Sequence, residues 1–150
     1  MADPGRAGDS RAGTEANKLL IRRYYDEMWN PWNFAVAREL LAENIVFRGS
    51  LGDVMKGRDT FCDYMRKVRS AFPDFHNAIE ELIAEGDTVV AKLAYSGTHR
   101  GEIFGLAATG KRMAYAGVAI FRIAAGKVAE GWVLGDLIAL LRQLGARSLP

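Results

Sequence analysis

Residues 113 to 136, MAYAGVAIFRIAAGKVAEGWVLGD, constrain this chain more than any other stretch. Two runs rich in β-branched and aromatic residues flank Ala124-Ala125-Gly126, which reads as a three-residue hairpin loop with glycine in the left-handed position. Counting outward from Ile123 opposite Lys127 sets Ala119 opposite Gly131, Gly117 opposite Val133 and Tyr115 opposite Gly135. Side chains alternate, so one face carries Tyr115, Gly117, Ala119, Phe121, Ala129, Gly131 and Val133. The other carries Val118, Ile120, Arg122, Val128, Glu130, Trp132 and Leu134. The first face is mostly small residues between two aromatics and suits a hollow. The second is bulky and needs covering.

The chain of 150 residues is long enough to bury one core, and 49% hydrophobic with 25% charged residues is ordinary for a soluble globular domain. A net charge of +2, with basic and acidic residues interspersed, argues against a nucleic-acid partner. The single cysteine, Cys62, excludes an internal disulfide and a Cys-based zinc cluster, and its place in a helical pattern predicts a buried, inert thiol. Two histidines, His76 and His99, are too few for a His-rich metal site. No run approaches the roughly 18 apolar residues of a membrane span, and the first residues lack the apolar core of a signal peptide. The expectation is a cytoplasmic protein with no metal, membrane or nucleic-acid partner.

Residues 1–14 carry no large apolar group and read as a disordered tail, leaving 15–150 as one folded domain. A helix is expected from Thr14 or Glu15 through Trp29, with stripes Leu20/Tyr24/Met28 and Ile21/Tyr25/Trp29, ended by Asn30-Pro31. A short helix over Phe34 to Ala42 and a short strand Ile45 to Phe47 follow. The loop from Arg48 to Asp53 precedes a third helix, Arg58 to Phe72, whose apolar positions Phe61, Tyr64, Met65, Val68 and Phe72 keep helical spacing up to Pro73. Two strands, Phe75 to Ala84 and Thr88 to Ser96, join at Glu85-Gly86-Asp87. A loop from His99 to Arg112, with an exposed Ile103-Phe104, leads into the hairpin, and a helix from Leu137 to Leu144 ends at Gly145. Helices segregated from an antiparallel sheet define an α+β domain with helices on one sheet face.

This order, and particular runs within it, resemble the SnoaL-like polyketide cyclases (ester cyclases) of the NTF2-like superfamily. The runs are NKLLIRRYYDEMWN from Asn17 to Asn30, Ala71-Phe72-Pro73-Asp74, ELIAEGD from Glu81 to Asp87, and Gly97-Thr98-His99-Arg100-Gly101. They continue with Thr109-Gly110-Lys111-Arg112, Ile120-Phe121-Arg122-Ile123 and Arg142-Gln143-Leu144-Gly145. The resemblance implies a cone: a curved antiparallel sheet closed by N-terminal helices around an apolar pocket. It also implies a cofactor-independent, intramolecular aldol ring closure of a hydrophobic polyketide ester. That chemistry takes a base for the proton alpha to a carbonyl and a donor for the developing oxyanion. The family supplies an aspartate on the last strand and a histidine on the strand before it. Aligned through the hairpin and the RQLG run, those positions are Val133 and Ala119, and a further position commonly histidine is Gly131. None of the three can move a proton.

The remaining candidates lie around the hollow. Asp136 is either the N-cap of the last helix or a relocated base. Arg48 is either an oxyanion-binding guanidinium or a surface arginine paired with Asp53. His99 is either an acid/base or a hydrogen-bonded loop histidine. Tyr115, Gly117, Ala119, Phe121, Gly131 and Val133 are the expected substrate-binding surface, with the Tyr115 hydroxyl as a donor and Tyr25 and Trp29 at the mouth or in the core. Val118, Ile120 and Trp132 form an outer patch suited to a partner, which in this superfamily is commonly a second copy. Three functions compete: a cyclase or isomerase acting by substrate orientation or a relocated base, a non-catalytic module binding a hydrophobic metabolite, and, last, epoxide opening. The last needs a carboxylate-rich pocket.

Overall fold

The computed structural model describes residues 4–50 and 52–148, with side chains described from residue 11 onward. Helix α1 spans Pro4–Arg23 and continues as a π-helical segment, Tyr24–Trp29. The start lies ahead of the expected Thr14, because proline suits the first helical position and no second proline follows before Pro31. Of the stretch read as a tail, residues 4–14 are therefore helical, although a side chain at Gly13 would meet nothing within 4 Å. The two stripes predicted for this helix both turn inward at its end: Tyr24, Tyr25, Met28 and Trp29 are all buried. A wider helix accommodates that, since its bonds skip one extra residue, as in Asn30 N to Tyr25 O at 2.8 Å.

The helix expected over Phe34 to Ala42 is cut short. A 3₁₀ turn, Phe34–Val36, with Asn33 accepting from Ala35 N, leads into α2, Ala37–Leu40. Leu41 already belongs to strand β1, Leu41–Arg48, because it pairs with Val128 across the sheet. A short edge strand β2, Val54–Lys56, was not anticipated; its mostly exposed residues carry no burial pattern. Then come α3 (Arg58–Ala71), β3 (His76–Glu85), β4 (Thr88–Thr98), β5 (Arg112–Ala124), β6 (Lys127–Gly135) and α4 (Leu137–Gln143).

The six strands form one sheet in the order β2-β1-β6-β5-β4-β3. All neighbours are antiparallel except β1 and β6, which run parallel, so the sheet is mixed. Register shifts interrupt β1–β6, β3–β4 and β5–β6, and each such irregularity bends and twists a strand. The helices pack on the concave side, over Leu93, Ala119, Phe121 and Val128. This is the α+β cone expected, with one correction: the sheet is mixed and not wholly antiparallel, because β1 pairs with β6 in parallel.

The hairpin differs in its turn. Ala124 pairs with Lys127, so the loop is the two-residue Ala125-Gly126, with φ of 49° and 72° as a mirror-image turn requires. Ala129 is the extra residue of a bulge, after which Phe121 faces Gly131, Ala119 faces Val133 and Gly117 faces Gly135. Beyond the bulge the register is displaced by two residues from the one counted from Ile123. A displacement of two preserves the faces. Between turn and bulge it does not: Val128, expected outside, pairs with Ile123 and is buried in the core.

Candidate functional site

Between the sheet and the helices lies a cavity of about 740 Å³, counting space continuous with solvent. The π-helical segment contributes Tyr24, Tyr25 and Trp29, α3 contributes Tyr64 and Val68, and β4 and β5 contribute Tyr95 and Tyr115. All five tyrosines of the chain therefore line one space. The other polar lining groups are Ser50, Asn77 and Lys67, and no aspartate, glutamate or histidine is among the lining residues.

The small residues of the hairpin do not make this hollow. A Cβ at Gly117 would lie 3.0 Å from the Tyr95 hydroxyl, and one at Gly131 would lie 2.7 Å from Phe47 Cδ2. Each glycine is a seat for a ring from the neighbouring strand. Of the surface expected to bind substrate, Tyr25, Trp29, Tyr115 and Val133 line the cavity, whereas Gly117, Ala119, Phe121 and Gly131 do not. Phe121 packs edge-on against Tyr24 at 5.0 Å, and Ala119 is sealed in the core. Ala119 and Val133, the positions of the family's histidine and aspartate by alignment, are direct cross-strand partners, and only Val133 reaches the cavity.

The three residues considered for acid/base work are dispersed. Asp136 caps α4, its Oδ1 accepting from Ala139 N at 3.1 Å, and its side chain is not among the cavity lining. Arg48 points to the convex face, where it donates to Val133 O at 2.9 Å and lies 5.1 Å from the Trp132 ring centre. Alternation explains this, since Phe47 takes the inward position on β1. Asp53 makes no ion pair with Arg48; the guanidinium is taken by the carbonyl and the indole instead. His99 is fully buried, its Nδ1 accepting from Thr109 N at 3.3 Å and lying 2.9 Å from Thr109 Oγ1. Phe72 packs 5.7 Å from the imidazole and lines the cavity, while His99 does not.

Several residues within the runs that carry the family resemblance hold the walls together. Asn30 bonds the backbone of Asn77 on β3 in both directions, at 2.9 and 3.1 Å. Asp74 receives both the backbone N–H and the hydroxyl of Thr98 at 2.7 Å. Burial opposes ionisation of Asp74, but these two donors outweigh it and hold the carboxyl below its ordinary range. Gln143 grips β5 through Ala114 N and O, at 2.9 and 2.7 Å. The loop after β4 folds back by a tight turn in which Ile103 and Leu106 exchange backbone bonds and Phe104 and Gly105 both have positive φ. Ile103 and Phe104 consequently enter the cavity wall instead of facing solvent.

Electrostatically the cavity is a phenol-lined, apolar space. Burial raises the Tyr24 and Tyr25 hydroxyls well above the ordinary tyrosine range, Tyr24 being slightly relieved by the nearby Trp29 indole. Burial carries Tyr64 up to about 12, with Ser50 opposing the rise, and lifts Tyr95 and Tyr115 further. These groups are neutral donors at any physiological pH, not bases. The Trp29 Nε1 is buried with no hydrogen-bond partner among the described residues, as is His99 Nε2. Cys62 is buried, as expected, and burial pushes its thiol up. No group of three or more metal-ligating side chains occurs among the described residues. None of their helices is long and apolar enough to cross a membrane.

Tyr24, Tyr64 and Tyr95 line the cavity without being among the residues expected there. Tyr64 lies in the apolar stripe of α3, and Tyr95 follows Val89, Ala91 and Leu93 on the buried face of β4. The alternation that placed Tyr115 would have placed Tyr95 as well, since the two pair directly.

A cone with a tyrosine-lined cavity defines a class, and sequence comparison gives the family. The SnoaL-like polyketide cyclase profile matches residues 19–144, and the chain belongs to that family. It is 32% identical over 130 residues to the aklanonic acid methyl ester cyclase DauD of Streptomyces sp. (strain C5), covering 84% of this chain and 80% of that protein. TsrD from Streptomyces laurentii superposes with a TM-score of 0.79 at 27% identity, over 88% of this chain and 96% of TsrD. A SnoaL-like protein from Jannaschia sp. CCS1 gives 0.82 at 23% identity, over 90% and 95% of the two chains, a likeness of fold.

Proposed function

We propose that this protein closes a ring in a hydrophobic, polyketide-derived substrate and does so chiefly by holding the reacting ends together. The observation that carries this reading is the composition of the cavity wall: five phenols and a largely apolar surround, with no carboxylate or imidazole. An aldol closure needs its nucleophilic carbon freed of a proton. A methylene between two carbonyl groups is acidic enough to give that proton to solvent before closure. What remains for the protein is conformational. Fixing the resulting enolate carbon and a ketone carbon at near-attack distance removes several kcal/mol of entropic barrier, and the alkoxide formed as the C–C bond closes takes its proton back from solvent. An orientation-driven pericyclic closure is served by the same wall.

The test is turnover of aklanonic acid methyl ester and related keto esters, followed by chromatography of the cyclised product. Wild type is expected to turn over at least one of them. Asp136→Asn and Arg48→Ala are expected to retain that activity within about twofold, since neither side chain lines the cavity. Loss of turnover in Asp136→Asn with an intact fold would replace orientation by a relocated base. Tight stoichiometric binding without product from any substrate would overturn the catalytic reading.

The assembly in which this happens is proposed to be a homodimer joined through the outer face of the sheet. Supporting it, Val118, Ile120 and Trp132 stand on that face of β5 and β6, and Leu134 and Val46 extend the apolar patch.

A further inference from the structure

Ring closure by orientation leaves three cavity hydroxyls without a task. Tyr64, Tyr95 and Tyr115 reach the cavity from three different elements, α3, β4 and β5. Tyr95 and Tyr115 are direct cross-strand partners with ring centres 4.8 Å apart. All three rings are held against glycine. A Cβ at Gly117 would sit 3.0 Å from the Tyr95 hydroxyl, one at Gly49 3.1 Å from the Tyr64 hydroxyl, and one at Gly135 3.1 Å from Tyr115 Cε2. Rings packed this closely on backbone have little freedom to turn their hydroxyls elsewhere.

Among the described residues, neither Tyr95 nor Tyr115 has a hydrogen-bonding partner for its hydroxyl. Neither oxygen is among the sealed polar atoms without partners found in the described residues, Trp29 Nε1 and His99 Nε2, so both retain contact with open space. Both hydroxyls therefore open onto the cavity without a protein partner. An O–H donor so placed is met either by water or by a ligand atom that accepts from it. The phenols supply O–H donors, and no carboxylate lines the cavity to compete for them.

We infer that Tyr64, Tyr95 and Tyr115 form a donor array that binds a ketone or enolate oxygen of the ligand and so fixes which end of it enters the cone. This rests on the cavity being the ligand site, as proposed above. It assigns the specificity of that site to oxygen acceptors instead of to apolar shape alone.

The probe pair is 9-fluorenone and fluorene, which share a ring frame and differ by one carbonyl. Equilibrium dialysis is expected to show fluorenone bound at least about tenfold more tightly than fluorene. Tyr95→Phe and Tyr115→Phe, which keep the ring and its packing, are each expected to weaken fluorenone about three- to tenfold and leave fluorene unchanged. Difference infrared spectra should place the carbonyl stretch of bound fluorenone below its value in hydrocarbon solvent, and the Phe variants should return it upward. Absence of fluorenone binding, equal binding of the two compounds, or parallel weakening of both in the variants overturns the array. Carbonyl recognition without turnover of any keto ester would sink the cyclase reading and leave the array standing. Turnover without carbonyl recognition would do the reverse.

Discussion

On the inner face of the β5–β6 hairpin Gly117 lies under the ring of Tyr95 and Gly131 under the ring of Phe47, whereas on the outer face Ile120, Trp132 and Leu134 stand 40%, 39% and 50% exposed. The small residues are on the crowded side and the large ones on the open side. Residue size along a strand thus reports what the neighbouring strands bring, not how much room there is. Inside, glycine backbone serves as a packing surface against which aromatic rings are fixed edge to face, as with Phe47 and Phe61 at 4.8 Å and 86°. Outside, size provides apolar area that this single chain leaves partly in water.

The inner face should therefore be the less tolerant of added atoms. Gly117→Ala drives a methyl into Tyr95, a ring already wedged between Phe75 and Tyr115 with centres at 5.6 and 4.8 Å. Unfolding by urea is expected to show a loss of about 2–3 kcal/mol, the cost of overpacking a closed core. Ile120→Ala, by contrast, is expected to cost about 1 kcal/mol or less in a dilute monomer, because the side chain is half in solvent. If the two substitutions cost the same, the distinction between crowded and open faces collapses. The outer face has its own test. Trp132→Glu is expected to shift the sedimentation coefficient from dimer to monomer while leaving cavity binding of fluorenone unchanged. A wild type that sediments as a monomer at all concentrations removes the proposed interface.

The division into these two faces was legible in the sequence because alternation survives errors of two residues. Alternation places Tyr115 and Val133 inward and Ile120 and Trp132 outward, as in the structure, although the turn is one residue shorter than its sequence suggests and Ala129 forms a bulge. Val128 shows the limit, since one inserted residue reverses a side chain and the sequence carries no mark of it. The parallel pairing of β1 with β6 was also beyond reach. It joins Leu41 to Val128 across most of the chain, and such a contact leaves no local pattern. The hollow was misassigned for a related reason. Alternation tells where Gly117 points, but that Tyr95 occupies the space depends on the partner strand. The candidate acid/base set disperses because neither the glycine-containing loop after Arg48 nor the hairpin end at Asp136 fixes which way a side chain points. On β1 the inward position belongs to Phe47, and Asp136 is occupied by the start of α4.

Asp136 leaves β6 for α4, and its Oδ1 takes the Ala139 N–H. Asp136→Ala is expected to cost about 1 kcal/mol, the usual worth of an N-cap, and Asp136→Asn only a few tenths, since asparagine caps as well. An equal loss in both would mean that the charge, not the cap, matters there.

The smallest effect expected concerns the walls that hold the tyrosines apart. The folded carboxyl of Asp74 titrates below its ordinary value despite partial desolvation, because Thr98 donates two hydrogen bonds to the ionised form. A depressed folded value means that the native state binds this proton less readily than the unfolded chain. The stabilisation is therefore complete above the ordinary carboxylate value of 3.8 and is lost as pH falls through the lower folded value. Asp74 is exposed, so solvent screening keeps the contribution modest. Urea midpoints measured from pH 7 down to pH 2 should fall less steeply in Asp74→Asn than in wild type, with the two curves converging at the acid end. Parallel curves would show that Asp74 holds Thr98 as a neutral acceptor would, and that the joint between α3 and β4 owes nothing to charge.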